Sequence, residues 1–306
     1  NVSGITFNLR GTSDSGRDID IPAVTDENGV AIFSEIPIGT YTIYEDEKTV
    51  PTAYLVADPQ NVTVTYAETK EVPIENKEKT GSITVHKTTE GQKNIEGIKF
   101  YLRGTSDSGR AIDIPATTDK DGIAKFDGVP IGTYMVIEDE ETVPYGYLVA
   151  DEKEVKVEYA QTIDETILNN EQTGTVKVHK KTADMTNVEG IRFILSGISD
   201  TGREIRIEAT TDKDGLAKFE GVPVGTYTIT EDGSTVPYGY LVADSKQVTV
   251  AYAQTVDTDM VNEKAPDTPN TGVTDNDSDG SKALCSVAII LAGAAIVMFS
   301  RKRKER

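Results

Sequence analysis

The sequence predicts an all-β protein made of tandem copies of one small domain, and three observations carry that prediction. The first is a fixed interval. Gly4, Gly97 and Gly190 lie 93 residues apart, as do Gly39, Gly132 and Gly225, and Asn76, Asn169 and Asn262. Whole phrases keep the register: Leu9–Arg17 recurs unchanged at Leu102–Arg110, and Thr142–Asp151 at Thr235–Asp244. The second is short runs in which apolar and polar residues alternate with period two, with no helical period anywhere in the copies. The third is the turn chemistry of Asn28-Gly29, Asp121-Gly122 and Asp214-Gly215, which suits hairpins.

The second copy shows the elements in order. Ser82–Thr88 (SITVHKT) alternates cleanly and opens the domain, and Lys99–Thr105 and Ala111–Ile114 follow with the same period. After the Asp121-Gly122 turn, Gly122–Phe126 and Tyr134–Glu138 resume it, then Glu154–Tyr159, and a last strand carries Ile167 and Asn169. Seven short strands in about 93 residues indicate a β-sandwich or a barrel. The copies divide at 1–79, 80–172 and 173–264, the first without its opening strand. Lys77–Gly81 and Glu171–Gly174 are polar connectors, too short for free tumbling.

Side-chain parity singles out three polar residues per copy. Ile83, Val85 and Lys87 share one strand face, as do Val176, Val178 and Lys180, so a lysine extends each core row. Tyr134, Val136 and Glu138 share a face, matched by Tyr227, Ile229 and Glu231 and by Tyr41, Ile43 and Glu45. On the last strand Asn169, Asn262 and Asn76 follow Ile167, Met260 and Ile74. Buried charge is costly unless paired or neutralised. A bland alternative exists for each residue alone: a lysine snorkelling at a strand end, a glutamate pairing with it, an asparagine capping a turn. Joint recurrence of the three argues against it.

The stretch Thr117–Asp139 (TTDKDGIAKFDGVPIGTYMVIED), with its turn, Phe, Pro-x-Gly-x-Tyr and Glu, resembles the Cna protein B-type repeat, the prealbumin-like (Ig-like) sandwich also found in SpaA-type pilins. The resemblance covers residues 1 to about 264. It implies a self-made isopeptide bond, with Lys87 joined to Asn169 under Glu138 as catalyst, and Lys180 to Asn262 under Glu231. Desolvation favours a neutral amine beside a neutral acid. The amine can then attack the carboxamide while the glutamate moves protons. Copy one keeps Glu45 and Asn76, but its lysine would precede Asn1, so it does not close.

At the other end, Thr268-Pro269-Asn270-Thr271-Gly272 lies in a linker (265–282) ahead of an apolar run, 283–299, and a basic tail, 300–306. This order resembles the cell-wall sorting signal of Gram-positive surface proteins, with Thr268 standing where that family has Leu. It implies cleavage between Thr271 and Gly272 by a sortase and transfer to peptidoglycan. Membrane physics agrees: seventeen residues make a helix of roughly 26 Å, near a bilayer core of about 30 Å, and Arg301, Lys302, Arg303, Lys304 and Arg306 fix the tail inside. The chain starts at Asn1 without a start methionine or signal peptide. Export needs one, so the sequence reads as the C-terminal part of a longer precursor.

Composition narrows the rest. The tail contributes +4 to a net charge of −20, leaving −24 on everything before it. Such a field repels phosphate backbones, which excludes nucleic acid as a partner. Cys285 is the only cysteine and lies in the apolar run, so the exported part has no disulfide. His86 and His179 fall on the face opposite the lysines and have no second ligand nearby, so no metal is expected. Asp275–Gly280 imitates an EF-hand start, but position twelve would be Ser286. No nucleophile–base set, phosphate loop or cofactor motif occurs, so the only expected chemistry is a single turnover within each domain. These features predict a peptidoglycan-anchored surface stalk presenting an upstream adhesive region to a host or matrix ligand. The alternatives are a shaft pilin, although no Tyr-Pro-Lys tripeptide is present, and the wall tether of a secreted enzyme.

Overall fold

The computed structural model describes residues 2–91, 95–184, 186 and 188–266. Within them the chain is all-β apart from one-turn 3-10 helices at Glu47–Thr49, Glu140–Thr142 and Gly233–Thr235. No helix among the described residues is long and apolar enough to cross a membrane. The sorting motif, the apolar run 283–299 and the basic tail lie outside the described residues.

Repeat one contributes β1 (Thr6–Thr12), β2 (Asp18–Val24), β3 (Gly39–Glu45) and β4 (Gln60–Val64), which form one sheet in the order β2-β1-β3-β4. Repeat two contributes β5 (Thr80–Thr89), β6 (Lys99–Ser106), β7 (Ala111–Thr117), β8 (Ile123–Pro130), β9 (Gly132–Glu138), β10 (Lys153–Val157) and β11 (Thr162–Asn169). These make two facing sheets, β10-β9-β6-β7 and β11-β5-β8. Repeat three copies that plan with β12 (Thr173–Thr182), β13 (Arg192–Ser199), β14 (Glu204–Thr210), β15 (Leu216–Pro223), β16 (Gly225–Glu231), β17 (Lys246–Val250) and β18 (Thr255–Asn262). The predicted sandwich is therefore present with seven strands in each of repeats two and three.

One pairing matters most for the site. The first and last strands of a repeat run parallel, β5 beside β11 and β12 beside β18, with Ile167 opposite Lys87 and Met260 opposite Lys180. Each first strand sits between its last strand and an antiparallel neighbour, β8 or β15. Its side chains alternate strictly: Gly81, Ile83, Val85, Lys87 and Thr89 are buried and the residues between them are only partly so. Phe100, Leu102 and Val136 from the facing sheet, with Phe126 beside β5, complete an apolar core in repeat two, and repeat three has an equivalent core around Phe193, Leu195 and Phe219.

Repeat one departs from the other two. Its segments 30–37 and 69–76 align with β8 and β11 but form no ladder, because the strand that would hydrogen-bond both of them has no counterpart after Asn1. Ala31, Phe33, Val72 and Ile74 still pack against the core of β1 and β3. The sequence predicts the missing strand; the loss of pairing in its two neighbours is a finding of the structure.

Pro-x-Gly-x-Tyr has a steric reason. Tyr134 Oη donates to the Pro130 carbonyl at 2.8 Å, and a Cβ at Gly132 would stand 3.0 Å from that hydroxyl and from Ser106 Cα. Burial pushes the Tyr134 phenol up to about 12, so it stays a donor at any ordinary pH.

Candidate functional site

Two buried polar clusters stand out, one between the sheets of each complete repeat. In repeat two β5 supplies Lys87, the end of β9 supplies Glu138, and the end of β11 supplies Asn169; their relative exposures are 2%, 7% and 0%. Strand parity places them there, because each continues a row of core-facing residues. In repeat three Lys180, Glu231 and Asn262 occupy the same positions at 3%, 3% and 0%.

The glutamate lies between the other two groups. Asn169 Nδ2 donates to Glu138 Oε2 at 2.6 Å, while Lys87 Nζ stands 3.8 Å from Glu138 Oε1. The repeat-three distances are 2.6 Å from Asn262 Nδ2 to Glu231 Oε2 and 3.4 Å from Lys180 Nζ to Glu231 Oε1. Each lysine donates to two carbonyls: Lys87 to Thr88 at 2.5 Å and Ile167 at 3.1 Å, Lys180 to Lys181 at 2.8 Å and Met260 at 3.2 Å. The carbonyl of Ile167 or Met260 belongs to the strand that carries the asparagine, two residues earlier. The lysine is thereby held against the strand it would join.

Backbone groups that sequence reasoning did not assign complete the site. The Leu148 carbonyl accepts from Asn169 Nδ2 at 2.5 Å, and the Ala150 N–H donates to Glu138 Oε2 at 2.8 Å. Leu241 and Ala243 do the same in repeat three, and Leu55 and Ala57 in repeat one. The signal was visible as the repeated Leu-Val-Ala-Asp, but main-chain donors and acceptors leave no mark in a sequence.

Burial disfavours charge on the lysines. It pushes Lys87 down to about 8, against the opposing pull of Glu138, and pushes Lys180 down for the same reason against Glu231. A neutral amine is therefore accessible at mildly alkaline pH in a site closed to water.

Unsatisfied atoms mark the same places. Among the described residues, the buried side-chain oxygens and nitrogens without a hydrogen bond are Glu45 Oε1, Glu138 Oε1, Asn169 Oδ1, Glu231 Oε1 and Asn262 Oδ1. Each such atom costs about 1–3 kcal/mol. Every one belongs to a predicted site residue.

The arrangement can carry out one acyl transfer. Lys87 Nζ, as a free amine, would add to Cγ of Asn169 while Glu138, within 3.8 Å of Nζ and hydrogen-bonded to Nδ2, would relay one proton from Nζ to Nδ2. The Cγ–Nδ2 bond would then break and ammonia would leave. One C–N bond would form and one would break, with the glutamate unchanged.

Repeat one holds two of the three groups. Asn76 Nδ2 donates to Glu45 Oε2 at 2.6 Å and to the Leu55 carbonyl at 2.9 Å, so the acid–amide pair keeps its geometry without a lysine beside it. His86 and His179 lie on the outer face, paired with Asp164 at 3.0 Å and Asp257 at 2.7 Å.

Comparison with known proteins extends these observations. The family profile described as "SpaA: Prealbumin-like fold domain" matches residues 1–78, 81–172 and 174–264. Among solved structures, the Bacillus anthracis TIE protein is similar at 20% identity and a TM-score of 0.60, covering 85% of this chain and 47% of its own. The chain thus spans about half the length of that relative, and the likeness is one of fold. A Streptococcal ancillary pilin is similar at 18% identity and TM-score 0.35, over 87% of this chain and 94% of its own. The minor pilin GBS52 of Streptococcus agalactiae is similar at 18% and 0.30, over 63% and 99%. No curated protein matches the sequence.

Proposed function

Because the chain belongs to the family of SpaA-type prealbumin-like fold domains, we propose that it is a cell-wall-anchored surface stalk whose complete repeats are closed by internal isopeptide bonds. The observation that carries this reading is the buried Lys–Glu–Asn cluster, present twice with matching contacts between the first and last strands of a repeat. Lys87 to Asn169 and Lys180 to Asn262 are the bonds, with Glu138 and Glu231 as the proton-transfer groups. The protein is not a turnover enzyme on this account, because each site consumes its own asparagine.

The mechanical consequence follows from the topology. Force entering repeat two at β5 and leaving at β11 reaches the bond within a few residues, so the chain between Lys87 and Asn169 carries no load. That stretch is 169 − 87 = 82 residues, about 280 Å if extended. Pulling single molecules by their ends should show no extension step of that length from repeat two or three. Steps of that size from the unmodified protein would contradict the reading.

Anchoring rests on the C-terminal order of motif, apolar run and basic tail. A sortase would cut between Thr271 and Gly272 and join Thr271 to peptidoglycan, with Thr268, Pro269 and Asn270 as recognition residues. An adhesive region upstream, facing a host or matrix ligand, is the function such a stalk would serve. Changing Thr271 and Gly272 together should move the protein from the wall fraction to the membrane or the medium. Normal amounts in the wall would contradict the anchoring.

A further inference from the structure

Each connector plants a glutamate in the repeat that follows. Glu78 accepts a hydrogen bond from Ser108 and forms an ion pair with Arg110 at 2.8 Å, both in the loop that joins β6 to β7. Glu171, 93 residues later, does the same in the loop between β13 and β14. It accepts from Thr201 and from Arg203 Nε at 2.9 Å, and its side chain is fully covered.

The main chain of the connector is held on both sides. Lys79 N–H donates to Ala53 at 2.8 Å and its carbonyl accepts from Ile131 at 2.9 Å; Gln172 does the same with Gly146 at 2.7 Å and Val224 at 2.9 Å. These contacts make each connector part of the repeats it joins.

The receiving loop is a preset shape. In Ser106–Arg110 the Ser106 N–H donates to the Arg110 carbonyl at 2.9 Å, the Arg110 N–H donates to Ser106 Oγ at 3.0 Å, and the Ser106 and Ser108 hydroxyls lie 2.7 Å apart. Ser13–Arg17 at the head of repeat one has the identical sequence and the same bonds, at 2.8, 3.0 and 2.9 Å. It holds this shape although Arg17 makes no ion pair among the described residues. The donor set of one or two hydroxyls and a guanidinium fork is suited to a carboxylate.

At the far end of the series the charge is reversed. The residue in register with Glu78 and Glu171 is Lys264, which makes the same bridge to its own repeat, through Tyr240. Its ammonium turns back to Asp184 of repeat three at 3.4 Å. A lysine there cannot serve an arginine-bearing loop.

We propose that the Ser13–Arg17 loop is a carboxylate socket for the connector glutamate of a further repeat of this kind, docked as Glu78 and Glu171 are. The plug fixes neighbouring repeats relative to each other, and the series of plugs stops at Lys264. The sockets share no residue with the Lys–Glu–Asn clusters, so the inference stands apart from the cross-link.

The test uses the 306-residue chain with Cys285→Ser and a second copy of residues 1–93 placed ahead of Asn1, which continues the register. Spin labels at the exposed positions Glu27 and Lys120 report the native joint between repeats one and two, and labels at Glu27 and its duplicate report the new joint. Pulsed electron resonance should give equally narrow distance distributions. Arg17→Ala should broaden the new joint alone, and Arg110→Ala the native joint alone. A new joint broader than the native one with Arg17 intact, or a joint that stays narrow after loss of its arginine, would overturn the proposal.

Discussion

Replacing both ionisable groups of one cluster, by Lys87→Met with Glu138→Gln, isolates the contribution that the proposed covalent bond would make in repeat two. Either change alone would leave a buried charge without its partner, which costs about 3–5 kcal/mol by itself; the pair leaves groups of similar volume and no charge. The remaining difference is loop closure. Tying residues 82 apart restricts the unfolded chain by about 4.5 kcal/mol, taking the relation used for disulfides. For a domain of this size each kcal/mol moves the midpoint by about 4–8 °C. The repeat-two transition in scanning calorimetry should therefore fall by roughly 20–35 °C, while repeat three, with its own core and cluster, keeps its transition. A repeat-two shift within about 5 °C of the unmodified protein would refute the reasoning, since the entropy of an 82-residue loop is too large to vanish.

Three further outcomes follow from the same geometry. In Asn169→Ala the lysine cannot react, and its folded-state value of about 8 lies below the ordinary 10.5; the unfolded chain then binds more protons between those limits. Stability of repeat two in urea should rise with pH across that window, by about 3 kcal/mol at most, and a flat or falling profile would place the lysine elsewhere. Gly132→Ala drives a Cβ to 3.0 Å from Ser106 Cα and Tyr134 Oη and should cost about 1–3 kcal/mol in equilibrium unfolding. His86→Ala removes only a half-exposed pair with Asp164, so the unfolding midpoint should be unchanged; a marked loss would mean that the histidine reaches the cluster.

Much of this was legible because a strand has a period of two. Once Ile83 and Val85 were read as core, Lys87 had to point the same way, and the structure buries it. The asparagines and glutamates were legible through the 93-residue register, which a single copy would not have revealed. What escaped was everything carried by the main chain. Leu148 and Ala150 grip the cluster through a carbonyl and an N–H, groups that every residue possesses. In the sequence Glu78 and Glu171 are simply polar connector residues, because spacing does not say toward which neighbour a side chain turns. The unpaired segments of repeat one were missed for a related reason: alternation predicts the face of a strand, while its hydrogen bonds depend on a partner that the local sequence does not contain.

The cross-links themselves are the central claim, and intact mass measures them directly. The purified protein should weigh less than its sequence by two ammonia molecules, one for each complete repeat and none for repeat one. Glu138→Ala should restore one of them and leave the other, because Glu231 serves only Lys180 and Asn262. A wild-type mass equal to that of the unmodified sequence would contradict the account and leave Lys87, Glu138 and Asn169 as an ordinary buried polar cluster.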